Sequence, residues 1–116
     1  MSLEARARVE VFIPLREDDL GYQAVSQWVA EEFAFRRGGS TTTTSFLGLC
    51  ASPTTGTLAR DHVQIVFTDI LVDLDDIDAR NELVAELPLL RMDLEGTLHE
   101  EEEIWVTLSP IGIVRR

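Results

Sequence analysis

Few residues in this chain have side chains that could do chemistry near neutral pH, and their spacing limits what they could do. His62 follows Asp61, and a histidine beside a carboxylate is the smallest unit able to act as a general base. It needs a nucleophile, and Cys50, the single cysteine, would face it across a hairpin. That pair would make a small enzyme; the simpler account is a buried, inert thiol. His99 opens the run His99-Glu100-Glu101-Glu102-Glu103, in which His99, Glu101 and Glu103 are the candidate ligands for a divalent cation. Alternate residues of an extended chain point to opposite faces, so only two or three of them converge. A solvated acidic lead-in that discourages edge pairing of a strand explains the run more simply, and no metal or other cofactor is assigned.

Two further clusters invite a ligand and have ordinary explanations. Asp73, Asp75, Asp76 and Asp78 suggest a calcium loop, but Ile77 stands fifth, Asp78 rather than Gly sixth, and Val84 rather than Glu twelfth. Acidic residues in a first helical turn are stabilising in any case. Arg36-Arg37-Gly38-Gly39-Ser40-Thr41 offers guanidiniums, bare backbone and hydroxyls to an anion. In a phosphate loop a strand leads into a helix N-terminus. Here the glycines follow a helix, which is the pattern of a C-terminal cap. Arg36, Arg37, Gly38 and Gly39, with Arg60 from the loop expected between Pro53 and Asp61, are the binding candidates.

Composition removes several function classes. The chain has 116 residues, the size of one domain, with 45% hydrophobic and 27% charged residues. Twenty-one acidic residues oppose 10 basic ones, a formal net charge of -11. That balance argues against nucleic-acid binding, which rests on neutralising phosphates, and against adsorption to an anionic membrane. Every basic residue is Arg, so there is no lysine for a Schiff base or a Walker-type loop. One cysteine forms neither an internal disulfide nor a cysteine-pair zinc site. No run of 18 apolar residues exists, and the charged stretch Met1–Arg8 lacks the apolar centre of a signal peptide. A cytoplasmic protein is expected.

The elements that must position these residues follow from periodicity. Val9, Val11, Ile13 and Leu15 share one parity of a strand that Pro14 limits. Tyr22, Val25, Trp28, Val29 and Phe33 recur at helical spacing, which predicts a helix over Leu20–Phe35 ended by Arg36-Arg37-Gly38-Gly39. Thr42–Cys50 reads as a second strand and the segment from Val63 towards Ile70 as a third. A second helix opens at Asp73–Asp76, capped by Asp73 or Asp75, with Ile77, Val84 and Leu87 on one face and Pro88 kinking or ending it. Residues 89–100 are read as a short helical turn and a loop. Glu103–Leu108 forms the fourth strand, and Ile111–Val114 adds a short terminal one.

The order β-α-β-β-α-β predicts an α+β, ferredoxin-like sandwich: a four-stranded antiparallel sheet with two helices on one face. The other face is left open. Parity puts Val9, Val11, Ile13, Val63, Ile65, Phe67, Ile104, Val106 and Leu108 under the helices. It leaves Phe12, Val66 and Trp105 on the open face. Large apolar residues gathered there call for a cover. That cover is either the terminal segment Ile111–Val114 or a loop, or else a second subunit, and the expectation is a homo-oligomer, dimer or trimer, with Phe12, Val66 and Trp105 at its interface.

The element order resembles that of PII-type signalling proteins and copper-tolerance-type divalent-cation proteins, small ferredoxin-like chains that form trimers. The lysines with which PII-type proteins hold nucleotide phosphate have no counterpart here. The chain is also similar to small bacterial ferredoxin-like proteins. The residues that carry this likeness are Ile13-Pro14-Leu15, Phe35-Arg36-Arg37-Gly38-Gly39-Ser40-Thr41, Val63–Asp69 and the acidic entry to Ile104-Trp105-Val106. That likeness implies a fold and no activity. The expected function is a non-catalytic binding or structural module. The alternatives are a sensor of a small molecule or divalent metal at a subunit boundary, and a small enzyme using His62 and Cys50.

Overall fold

The structure, a computed structural model, describes residues 1–15, 20–43, 46–51, 55–56, 58–97 and 104–116, with backbone only at 15, 20, 46–51, 58–61 and 97. Strand β1 (Ser2–Leu15) leads to helix α1 (Leu20–Arg37). Strands β2 (Thr41–Thr42), β3 (Phe46–Ala51) and β4 (Leu58–Ile70) follow, then helix α2 (Ile77–Thr97) and strand β5 (Val106–Arg115). All pairings are antiparallel: β1 lies between β4 and β5, and β2 and β3 share the outer edge of β4. The result is the ferredoxin-like arrangement, four ranks of strand with both helices on one face. The strand expected over 42–50 is broken in two. Thr41 pairs Phe67 while Phe46 pairs Val63, so the register slides by one residue between the two pieces.

The core grows from the central strand. Ala7, Val9, Val11 and Ile13 are buried on the helix side of β1, as their parity predicts. Helix α1 lays Tyr22, Val25, Ser26, Val29 and Phe33 on them, an i, i+3, i+4 stripe. It ends as expected. Gly38 takes φ +89°, a left-handed value that suits glycine, and its N–H donates to the Ala34 carbonyl at 3.2 Å.

Strand β4 corrects the sequence reading. Val66, expected on the open face, is fully buried under the helices, with Thr68 and Ile70. Val63, Ile65 and Phe67, expected inside, belong to the open face, because Val66 pairs Val11 and Ile65 pairs Phe12. Both parities of this strand are apolar, so alternation alone does not choose. The register chooses, and it sets Asp69 opposite Arg8 while Ile70 lies opposite buried Ala7. The polar residues brought to the helix side are satisfied. Ser26 Oγ donates to Gln64 Oε1 at 2.8 Å, Gln64 Nε2 donates to the Thr43 carbonyl at 3.1 Å, and Thr68 Oγ1 donates to the Gly39 carbonyl at 2.6 Å.

Helix α2 departs from expectation twice. Its cap is Asp76, whose Oδ1 accepts from the N–H groups of Asp78 and Ala79 at 3.2 and 3.3 Å, rather than Asp73 or Asp75. It also runs through Pro88 to Thr97, so 89–97 is helix rather than turn and loop. Pro88 and Val84 are both exposed, and water can take the Val84 carbonyl that Pro88 leaves without a donor. The inward stripe is then Leu83, Leu87, Leu90 and Leu94, and Ile77 and Val84 face solvent.

Strand β5 is one continuous element. Ile111–Val114 does not fold over the open face; it pairs with β1 back to Ser2. Pro110 is tolerated because β5 is an edge strand. Beyond Ala7 the two strands leave β4 behind and form a two-stranded ribbon.

Candidate functional site

The open face of the sheet brings three aromatic residues close together, Phe12, Phe67 and Trp105. Phe12 and Trp105 meet edge to face, with ring centroids 6.2 Å apart at 69°, and the Phe12 N–H donates to the Trp105 carbonyl at 3.0 Å. Trp105 is 62% exposed. Ile65 lies opposite Phe12, and Phe67 is one step further along β4 on the same face. The Arg8 guanidinium carbon stands 4.3 Å from the Phe67 ring centroid. Its Nε and Nη2 bond both carboxylate oxygens of Asp69 at 2.7 and 3.0 Å, a fork that raises the Arg8 pKa.

Towards the ribbon, Glu4 accepts from Arg115 at 2.9 Å and from Arg6 at 3.1 Å. The bond from Arg115, then that from Arg6, outweighs desolvation and holds the Glu4 carboxyl below its usual range. The charged side chains described on this face are Glu4, Glu10 and Asp69 against Arg6, Arg8 and Arg115. They balance, although the whole chain carries -11. These six side chains therefore add nothing to the net negative charge.

Of the residues expected on the open face, Phe12 and Trp105 lie there. Val66 does not, and Ile65 and Phe67 stand there instead. The signal for the correct pair is Asp69: an acid that shares their parity marks that side of the strand as the uncovered one.

The remaining candidates are scattered. Arg37, Gly38 and Gly39 line a shallow cavity of about 390 Å³ with Arg6, Thr41 and Asp69, next to the open face. Arg37 is already bonded to Glu86, and Arg36 to Glu32 at 2.8 Å. Arg60 lies in β4 opposite Leu49, far from that turn in register, with its side chain outside the described residues. His62 is exposed in the interior of β4, opposite Leu47. Cys50 is opposite Ala59, three residues further along, or roughly 10 Å at strand spacing, so the register does not make the two cross-strand neighbours. His99, Glu101 and Glu103 lie outside the described residues. Among the described residues no group of three metal-ligating side chains forms, and no helix is long and apolar enough to cross a membrane.

The fold and this face define an α+β sandwich of ferredoxin-like topology with one sheet surface that no helix among the described residues covers. Compared with protein-family models, curated proteins and solved structures, the chain matches none. Its likeness to PII-type proteins thus rests on the order of elements alone.

Proposed function

We propose that the protein is a non-catalytic module that works by self-association, with two copies meeting through their open sheet faces. The observation that carries this reading is the coincidence of two properties on one surface. Phe12, Ile65, Phe67 and Trp105 supply the apolar area, and the described charged side chains around them, Glu4, Glu10 and Asp69 against Arg6, Arg8 and Arg115, sum to zero. A strongly acidic chain repels its copy over most of its surface. On this face it does not, and burying its aromatic residues is favourable at about 25 cal/mol per Å² of apolar area. Of the alternative covers, the C-terminal strand is engaged at the sheet edge.

Sedimentation velocity at micromolar concentration tests the reading. The wild type is expected as an oligomer, and Trp105→Glu and Phe67→Glu as monomers with unchanged circular dichroism. A monomeric wild type would end the proposal.

A ligand-sensing role has narrower support, the cavity at Arg37-Gly38-Gly39 beside this face. Its guanidiniums are paired within the chain, Arg6 with Glu4 and Arg37 with Glu86. A thermal-shift screen with phosphates and divalent metals tests it, since a ligand of the native state must raise the melting temperature.

A further inference from the structure

The opposite layer of the molecule contains a second surface that the sheet face does not explain. Helices α1 and α2 do not close on each other, and between them lies a cavity of about 640 Å³. Its floor is Val9 of the central strand, and its walls include Phe33, Leu83, Leu87 and Leu90, with Trp28 at its side. Val9 is 3% exposed and Leu83 4%, so the floor belongs to the hydrophobic core itself. The volume lies within the range of about 300–1,000 Å³ typical of small-molecule sites.

The charges lining the cavity are matched within the chain. Arg36 bonds Glu32 at 2.8 Å, and Arg37 of α1 bonds Glu86 of α2, a tie from one helix to the other. Asp93 is likewise engaged. A charged head group entering here would have to displace an existing ion pair, whereas an apolar body gains the walls at no such cost. A recess that reaches buried Val9 and Leu83 fits a compact molecule better than the flat surface of another protein copy.

We propose that the groove between α1 and α2 is a binding site for a small uncharged apolar molecule, aromatic or branched aliphatic. The site is independent of self-association, because it lies on the other side of the sheet.

The test uses the full chain and the uncharged fluorophore N-phenyl-naphthylamine. Its emission is expected to rise and saturate at one probe per chain. Leu90→Trp, which fills the groove, should weaken binding by roughly tenfold or more, as should Leu87→Arg at a half-buried position should the first variant fail to fold. Trp105→Glu, on the opposite face, should leave binding unchanged. The sulfonated analogue, anilinonaphthalene sulfonate, should bind roughly tenfold more weakly than the neutral probe. Absence of saturable binding, or equal binding by a folded groove variant, overturns the site. Loss of binding in Trp105→Glu places the probe on the sheet face and also overturns it. Tighter binding of the sulfonate overturns the uncharged class.

Discussion

At the scale of single residues, the face taken by each side chain of β4 decides what it does. Val66 is fully buried opposite Val11, and Phe67 faces out beneath Arg8. Val66→Asp is therefore expected to prevent folding, since an unpaired carboxylate in an apolar core costs several kcal/mol. Phe67→Asp, one residue on, should leave a folded chain; circular dichroism and thermal melting of the two variants check the difference. Glu4 offers a subtler test. Its carboxyl is held below the usual glutamate range, mainly by the bond from Arg115. An acid with a lowered folded-state pKa contributes stability above its unfolded pKa and loses it as pH falls through the lower folded value. In a carboxyl-carbon NMR titration Glu4 should have its midpoint below that of a free glutamate, and Arg115→Ala should move it up. Glu4 is exposed enough that global stability should hardly respond.

At the scale of elements, α2 shows how a helix can outlast a residue that should end it. Leu94 is buried in the stripe beyond Pro88, whereas Leu89 is 63% exposed. Leu94→Ala should cost about 2–5 kcal/mol and Leu89→Ala under about 0.5 kcal/mol in urea unfolding. Pro88→Ala, at an exposed interior position, should stabilise the protein by about 1–3 kcal/mol. These outcomes also mark what the sequence made legible. The stripe of α1, apart from Trp28, which is exposed while Ser26 is buried, and its stop at Gly38 were readable, because helical spacing and a left-handed cap are local properties. The inner parity of β1 and β5 was readable because only one parity of each is consistently apolar through the core. The face of β4 was not, since Val63, Ile65 and Phe67 compete with Val66 and Ile70, and pairing with β1 decides between them. The far half of α2 was hidden by Pro88, whose penalty is real but falls on the solvent side. The groove between the helices depends on how far apart two elements pack, which no local pattern encodes.

At the scale of the whole molecule, shape and charge are the governing quantities. The radius of gyration is 15.9 Å and the long axis 50 Å, against about 13 Å for the radius of a compact chain of this length. Fourteen residues of β1 at about 3.3 Å each account for that axis. A net charge of -11 on so small a body implies mutual repulsion between copies outside the sheet face, whose described charges balance. Added salt should screen that repulsion, so the oligomer fraction in sedimentation should rise between low and moderate ionic strength; a fall would mean that ion pairs across the contact dominate. The ribbon beyond Ala7 also has a mechanical consequence. Ser2 lies opposite Arg115, so tension applied to these two positions falls on one rung of the ladder at a time. Drawn apart there, the protein would open like a zipper from its tip, yielding at low force however firmly its core is packed.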